Sequence, residues 1–402
     1  MNKMILRILK IITFICILVL LLEGLYFLYL NYFRKDSASY FDSINDFCYY
    51  DDKIIAVGSN NGNDKDMEKA KITKYNAKKE KVWEVIYNKG YESTYYGVGF
   101  DGSDIIAVGS YESNKRENKE SLRTALIVKY DSSGNVIFEE DFQVLDNSKF
   151  TNILVVSDGY IVTGQSVYDD MTLGSSNEGG AFILKYNKEG KILWKSNFGN
   201  SKTAVYNNLV CYNDYIYAVG KSDSNTGIIS KYDLNGNMLG YSLCDNCDTF
   251  GFSGITVSNG ELVVCGAKVV SGDDKANTDA LIVKYDLNCN YIGEVLYDSA
   301  SIERFNEIIT DDDNNLIVVG TISNYKKDND SKFVYNGLIG KYHSDLKKVS
   351  VLEYGDEQDD YFTNIKIFDR NYLVSGYSSY DKDGYLSKFI IYSDALKVLE
   401  VS

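Results

Sequence analysis

Short apolar runs separated by polar turns recur along the chain from about residue 40 to its end. The clearest run ends in glycine, as in IIAVG, and it appears seven times at spacings of 46 to 56 residues. The seven glycines are Gly58, Gly109, Gly164, Gly220, Gly266, Gly320 and Gly376. Periods of this size are typical of propellers and solenoids.

A second apolar run follows each glycine after a loop of variable length. It ends in Lys-Tyr in six repeats, as in Ala181–Tyr186, and in a degenerate form at Lys388–Tyr392. An aromatic and then an aliphatic residue precede the glycine run, as Phe150 and Ile153 do; in the first repeat we assign this pair to Phe41 and Ile44. With a last run after the next turn, the pattern predicts four short antiparallel strands per repeat.

The seven repeats fill residues 40–402, about 52 residues each. A four-stranded sheet of that size cannot bury both faces alone, whereas sheets arranged radially bury their faces against one another. The sequence therefore predicts an all-β fold, a seven-bladed β-propeller of four-stranded antiparallel blades, with six or eight blades as alternatives. Because the first repeat begins with its first strand and the chain ends on a fourth strand, we expect the ring to close by packing, without a shared strand.

The N-terminus carries an apolar run of 20 residues, Ile11–Leu30, which Glu23 alone interrupts. Such a run is long enough to cross a membrane as a helix. Lys3, Arg7 and Lys10 precede it, so residues 1–10 are predicted to be cytoplasmic, residues 11–30 a transmembrane anchor, residues 31–39 a linker and residues 40–402 an extracytoplasmic propeller. A cleaved signal peptide is the competing interpretation, but the run lacks small residues at its end.

Charge and histidine content narrow the functional classes. Of the formal charge of −15, residues 1–35 carry +4, which leaves −19 on the remainder and argues against nucleic-acid binding. His343 is the single histidine of the chain, and it falls in a predicted turn. Catalysis by a histidine base and sites with several histidine ligands are therefore not expected.

Aspartate and asparagine are concentrated in the predicted loops between second and third strands, at residues 60–66, 273–274, 328–330 and 381–384. Calcium prefers such oxygen ligands, and Asp381 and Asp383 are the first candidates to bind it. None of the loops has the complete spacing of a calcium-binding loop with its distal glutamate, so polar solvent-exposed loops are the alternative. No other cofactor is predicted.

The cysteines give a weaker signal. Cys244 and Cys247 form a single C-x-x-C pair, for which a local disulfide and a metal shared with other cysteines are both open. Cys48, Cys211 and Cys265 fall within predicted strands and are expected to be core residues.

The repeat resembles those of bacterial extracellular β-propeller proteins, the SBBP-like and quinoprotein-like repeat families. The segments Lys185–Trp194 and Tyr75–Trp83 carry the resemblance most closely. It implies the fold and leaves function open, because such propellers serve as adhesion modules, scaffolds and enzymes. No residues for a quinone cofactor match, and the Asp-box of sialidase-type propellers is absent because Lys129 stands two residues before Asp131.

The sequence therefore predicts a membrane-tethered binding or scaffold propeller at the cell envelope, whose partner is an envelope protein or a glycan. A carbohydrate-active hydrolase, with its site at the loop-face mouth of the central channel, is the alternative. An inert structural spacer is a third interpretation.

Overall fold

The computed structural model describes residues 42–401 except for 62–66, 114–121, 146, 168–178, 199–202, 223–225, 271–277, 300–301, 326–332, 356–357 and 381–383. Its secondary structure consists of twenty-eight β-strands, with no α-helix among the described residues. The predicted anchor at residues 11–30 and its flanking segments lie outside this range. Within the described range, no helix is long and apolar enough to cross a membrane.

The strands, numbered in chain order, fall into seven groups of four, and we call each group a repeat. Repeats 1 to 3 comprise β1 (Asp46–Tyr50), β2 (Lys53–Asn60), β3 (Lys69–Tyr75), β4 (Lys81–Tyr87); β5 (Glu92–Phe100), β6 (Ile105–Glu112), β7 (Arg123–Tyr130), β8 (Val136–Phe142); and β9 (Asn147–Val156), β10 (Gly159–Val167), β11 (Gly180–Tyr186), β12 (Ile192–Asn197). Repeats 4 and 5 comprise β13 (Val205–Tyr212), β14 (Tyr215–Lys221), β15 (Gly227–Asp233), β16 (Met238–Cys244); and β17 (Cys247–Ser258), β18 (Glu261–Val269), β19 (Thr278–Tyr285), β20 (Tyr291–Tyr297). Repeats 6 and 7 comprise β21 (Ile302–Thr310), β22 (Leu316–Tyr325), β23 (Phe333–Tyr342), β24 (Lys348–Tyr354); and β25 (Asp360–Phe368), β26 (Asn371–Tyr380), β27 (Gly384–Tyr392), β28 (Val398–Val401).

Each repeat forms one antiparallel sheet in which consecutive strands are neighbours, as the sequence predicts. Single parallel pairs, Arg123 with Asn147 and Thr278 with Ile302, also connect repeat 2 to repeat 3 and repeat 5 to repeat 6. One end of every sheet carries the tight turns between first and second and between third and fourth strands, and we call it the turn end. The other end carries the variable loops and the connections between repeats, and we call it the loop end.

The recurring glycine marks a close approach between the first and second strands. A Cβ atom on Gly109 would lie 1.9 Å from the carbonyl oxygen of Thr94, and one on Gly320 would lie 1.8 Å from that of Arg304. Beside this contact the ladder contains a β-bulge in the first strand, for example between Tyr95 and Gly97. The glycine is therefore required by space and not by a special backbone angle.

The hydrophobic core lies between neighbouring sheets. The second and third strands are buried along most of their length, and every residue of β11 is buried. The fourth strands are largely exposed, as the pattern of β8 shows. A representative cluster joins Ile161 and Ile183 of repeat 3 to Tyr206 and Ile216 of repeat 4. Each sheet thus buries its faces against the next repeat.

The first and last repeats pack against each other. Ile44 and Phe47 share a core cluster with Leu373 and Phe389, and the rings of Phe47 and Phe389 are 5.4 Å apart. In the described structure β1 pairs only with β2, and β28 pairs only with β27. The ring closes by side-chain packing and hydrogen bonds, which confirms the closure expected from the phase of the repeat.

The sequence assignment in the first repeat was wrong by three residues. Gly58 lies against the carbonyl oxygen of Ser43, as the other glycines lie against the residue before their aromatic partner. The aromatic position of repeat 1 is therefore Ile44, and the aliphatic position is Phe47. The two residue types are exchanged in this repeat, so a search for an aromatic followed by an aliphatic residue selects Phe41, which lies outside the described residues, and Ile44.

Candidate functional site

The seven first strands line the centre of the ring, where each contacts the first strand of the next repeat. Hydrogen bonds connect the first strands of neighbouring repeats. In each bond, the side chain of the residue after the aromatic position donates to the backbone carbonyl oxygen of the aromatic position in the next repeat. The bonds are Asn45 to Tyr95 (2.7 Å), Thr151 to Tyr206 (2.5 Å), Asn207 to Phe252 (2.8 Å), Ser253 to Phe305 (2.8 Å), Asn306 to Phe362 (2.7 Å) and Thr363 to Ile44 (3.3 Å). In repeat 2 the position holds Tyr96, whose ring lies 5.8 Å from Nζ of Lys149.

One residue further toward the turn end, a second set of side chains surrounds the axis. This polar belt consists of Asp46, Asn152, Asn208, Glu307 and Asn364, with Gly97 and Gly254 at the same position in repeats 2 and 5. Amide Nδ2 atoms connect its members: Asn364 to Asp46 (2.7 Å), Asn152 to Asn208 (3.1 Å) and Asn208 to Glu307 (2.9 Å). The last bond crosses repeat 5, because a Cβ atom on Gly254 would lie only 2.7 Å from Oε1 of Glu307.

The belt holds two buried carboxylates. Asp46 is 6% exposed and Glu307 is 8% exposed. Burial raises the pKa of Asp46 and raises the pKa of Glu307 to about 7, while the ammonium group of Lys366 opposes both shifts. Nζ of Lys366 lies 3.9 Å from Oδ1 of Asp46. Burial lowers the pKa of Lys366, but the nearby Asp46, Glu307 and Cys48 outweigh it, so its pKa is raised.

The carboxylate oxygens of the belt are engaged in hydrogen bonds. Oδ1 and Oδ2 of Asp46 accept the backbone N–H groups of Phe47 (2.8 Å) and Val98 (3.0 Å). Oε1 of Glu307 accepts the N–H of Ile308 at 2.9 Å, and its Oε2 accepts Asn208. A catalytic acid or base must reach the proton that it transfers. The geometry of the belt is that of a cross-link between strands, and not of a carboxylate presented to a substrate.

Aromatic side chains gather at the loop end of repeats 5 to 7. Phe250 is 62% exposed, and the guanidinium carbon of Arg304 lies 4.7 Å from its ring centre. The ring of Tyr361 is stacked between those of Tyr335 and Tyr377, at 5.3 Å and 4.8 Å. Arg304 and Tyr361 occupy the same repeat position, directly before the aromatic residue of the first strand. We call these five side chains the mouth patch.

Two cationic side chains near the loop end, Arg304 and Lys149, differ in the groups that they contact. Arg304 forms an ion pair with Asp248, and Asp248 also accepts the backbone N–H groups of Phe250 (3.0 Å) and Gly251 (3.1 Å) through Oδ1. Lys149 lies over Tyr96 on the other side of the axis. Burial, with a contribution from Arg123, lowers the pKa of Lys149. Arg304 is therefore fixed in place by the first strand of the preceding repeat.

The residues predicted as calcium ligands, Asp381 and Asp383, lie outside the described residues, as do 62–66, 273–274 and 328–330. Among the residues that are described, no group of three or more His, Cys, Asp or Glu side chains is arranged to hold a metal ion. His343 is exposed in the turn between β23 and β24, where its backbone N–H donates to the carbonyl oxygen of Lys347 at 2.9 Å. These placements leave the calcium hypothesis untested.

The sequence analysis missed the inter-repeat hydrogen bonds and the polar belt. Their members are mostly Asn, Thr and Ser, which occur in turns throughout this chain. A signal was present, because Asn, Thr or Ser follows the aromatic position in every repeat except the second. Polar side chains at a fixed position within otherwise apolar strands indicate a shared structural partner.

No protein-family model matches the chain, and no curated protein sequence is similar to it. Solved structures do match its fold. The β-propeller domain of the Trilobed protease from Pyrococcus furiosus, described as having an open velcro topology, is similar over 92% of this chain and 96% of its own length, at 8% identity and a TM-score of 0.51. The polysaccharide lyase Uly1 is similar over 89% of this chain and 92% of its own, at 11% identity and a TM-score of 0.53. At these identities the likeness shows the fold alone, and the fold is a β-propeller.

Proposed function

We propose that this chain is a seven-bladed propeller that binds an envelope protein or a glycan outside the cell, held at the membrane by residues 11–30. The observation that carries the proposal is the mouth patch, in which an exposed phenylalanine and a stacked set of tyrosines share one end of three adjacent repeats. Rigid aromatic side chains with an arginine are the residues that dominate binding energy at protein surfaces.

The anchor fixes how far the patch lies from the membrane. Asp42, the first described residue, pairs with Asn60 at the loop end of repeat 1, which is the end that carries the patch. The linker at residues 31–39, with residues 40 and 41 that lead to Asp42, spans at most roughly 40 Å. A partner of the patch is therefore expected close to the membrane surface.

The hydrolase alternative has less support. Glycoside hydrolysis requires a carboxylic acid and a second carboxylate that both reach the substrate. Asp46 and Glu307 are buried and hydrogen-bonded to neighbouring backbone and amide groups. We expect the purified chain to leave a panel of envelope glycans uncleaved.

Calcium binding at Asp381 and Asp383 stays part of the proposal, because the segment 381–384 has the oxygen-rich composition that calcium prefers. The melting temperature, measured with calcium and with a chelator, tests it. We expect calcium to raise the melting temperature of the wild type and not that of Asp381→Asn. Equal melting temperatures of the wild type under both conditions would remove the calcium site.

Capture from envelope extract and from a glycan panel tests the binding proposal, with the full-length chain in detergent as bait. Phe250→Ala and Tyr361→Ala should each weaken capture by roughly tenfold or more, because each removes an aromatic anchor. Tyr291→Ala is the matched control, since Tyr291 is 58% exposed but lies on a fourth strand away from the patch. If all three variants capture the same partner as well as the wild type does, the patch is not the binding surface.

A further inference from the structure

The connection between repeats 4 and 5 is the shortest between any two repeats. Only Asp245 and Asn246 separate Cys244, the last residue of β16, from Cys247, the first residue of β17. The other connections contain four to seven residues. Asn246 turns the chain with a φ of 61°. The two cysteines therefore flank a tight reversal.

Gly227 makes room for the sulfur atom of Cys247. It lies directly opposite Cys244 in the ladder between β15 and β16. Sγ of Cys247 would be 2.9 Å from a Cβ atom built on Gly227. A larger residue at position 227 would occupy the place of the Cys247 sulfur. Cys244 packs against the core cluster that contains Cys247, and the sulfur of Cys247 lies beside the glycine that faces Cys244 in the ladder.

The two thiols differ in reactivity. Cys244 is partly exposed, and the neighbouring thiol of Cys247, with the ammonium group of Lys268, lowers its pKa. Cys247 is fully buried, and the neighbouring sulfur of Cys244 together with burial raises its pKa. A thiolate is the nucleophile in disulfide exchange, so an accessible thiol of lowered pKa reacts first.

We propose that Cys244 and Cys247 form a reversible disulfide when a disulfide oxidant, such as an oxidised thiol oxidoreductase or glutathione disulfide, is present. The Cys244 thiolate attacks one sulfur of the oxidant, which forms a mixed disulfide and releases one thiolate. Cys247 then loses its proton and attacks the Cys244 sulfur, which closes the local disulfide and releases the second thiolate. The two cysteines lose two electrons and two protons, and the oxidant becomes two thiols.

The disulfide would act on the mouth patch through the first residues of β17. Asp248 follows Cys247 directly, and it holds both the backbone of Phe250 and the guanidinium group of Arg304. Closing the bond fixes the start of β17 on β16, and thus restricts the residues that position Phe250. This coupling rests on the proposed binding function, whereas the disulfide itself does not.

Differential alkylation of the full-length chain tests the disulfide. The protein is incubated in glutathione buffers of increasing oxidation, free thiols are blocked, and the protein is then reduced and labelled with a second reagent. We expect Cys244 and Cys247 to take the second label together, with a mass loss of two hydrogens before reduction. Cys211, also partly exposed but without a neighbouring cysteine in sequence, is the internal control and should take the first label.

Two variants separate the steps. In Cys247→Ser the partly exposed Cys244 should retain a glutathione adduct, because no second thiol resolves it. In Cys244→Ser the buried Cys247 should stay reduced. Far-UV circular dichroism checks that both variants fold. The proposal is overturned if Cys244 and Cys247 take the first label as fully as Cys211 does in the most oxidising buffer. An unchanged disulfide together with unchanged partner capture in both redox states would overturn only the coupling to the mouth patch.

Discussion

The indole ring of Trp194 in repeat 3 covers Gly236 in the turn of repeat 4. A Cβ atom on Gly236 would lie 2.5 Å from Cε3 of the indole, and the indole N–H donates to the carbonyl oxygen of Leu234 at 3.0 Å. Trp83 of repeat 1 lies in the same way over Gly134, in the turn between β7 and β8 of repeat 2. Between repeats 4 and 5, Gly240 stands at the tryptophan position and Cys289 at the position of the turn glycine. Between repeats 5 and 6, the same two positions hold Gly293 and Leu346. The close packing of a tryptophan on a turn glycine is therefore a feature of two junctions, those of repeat 1 with repeat 2 and of repeat 3 with repeat 4.

This pairing predicts the effect of Gly236→Ala. We expect a loss of stability of about 2 kcal/mol or more, because the methyl group meets the indole and because φ at this position is 84°. The unfolding free energy from urea titration measures it. In the double variant with Trp194→Gly the steric part of the loss should disappear, so the two changes should be non-additive. Strict additivity would show that the indole contact contributes nothing.

The repeated glycine of the second strand allows a test of whether lack of space alone excludes a side chain there. Gly109→Ala should be severely destabilising, on the order of 3 kcal/mol or more, because its Cβ would lie 1.9 Å from a backbone oxygen that cannot move without breaking the ladder. Gly240→Ala is the matched control, since a Cβ there meets nothing within 4 Å. We expect it to be neutral or stabilising by about 0.5 kcal/mol. Equal effects of the two changes would contradict the close-approach explanation.

Burial of Glu307 predicts a pH dependence. Because its pKa is raised to about 7 in the folded protein, the folded state binds more protons than the unfolded state between about pH 4.5 and pH 7. The contribution of Glu307 to the free energy of unfolding is therefore fully present below pH 4.5. It is lost as the pH rises to 7 and beyond, and the loss is on the order of 2–3 kcal/mol. In Glu307→Gln this part of the decline should be absent.

The free energies of unfolding of the wild type and of Glu307→Gln, measured at pH 5, 6, 7 and 8, test this pH dependence. The exposed Asp312→Asn is the control for removing one negative charge from the protein. The interpretation fails if the wild type and Glu307→Gln lose stability in parallel between pH 5 and pH 8.

The hydrogen bond from Asn364 to Asp46 spans the junction between the last and first repeats. Asn364→Ala leaves a buried carboxylate with one partner fewer, and we expect a loss of about 2 kcal/mol. Asn306→Ala, which removes a bond to a backbone carbonyl between repeats 6 and 7, should cost about 1 kcal/mol. Denaturant titration of both variants measures the difference. A smaller loss for Asn364→Ala than for Asn306→Ala would show that the junction does not depend on this bond.

The junction between the last and first repeats should open before the junctions between the other repeats. Counted over the described residues, its hydrophobic cluster contains fewer buried residues than the clusters between the other repeats, and none of the described strands crosses it. Local opening follows low contact density. Native-state hydrogen exchange should therefore show faster exchange in β1 and β25 than in β13 and β17. Uniform protection of the four strands would mean that the ring opens only by global unfolding.

The sequence predicted the parts of the fold that depend on periodicity. The seven glycines and the Lys-Tyr runs located the second and third strands, because close backbone approach and burial restrict these positions to few residue types. The register of β1 was not predicted, since Ile44 and Phe47 exchange sizes within the same packed layer and keep its volume. The mouth patch was not predicted either, because Tyr335, Tyr361 and Tyr377 are far apart in sequence and only the ring brings them together. In a chain with 35 tyrosines, no single one stands out.

Every sheet in this ring is built from one continuous stretch of chain. A duplication or deletion in the gene that spans one whole repeat would therefore add or remove a complete sheet and leave no strand without its partner. The two residues that meet at the junction, Thr363 and Ile44, repeat the same bond that joins the internal neighbours, so a new terminal unit would find the contacts it needs already in place. The architecture permits change in unit number without redesign of any hydrogen-bonded ladder.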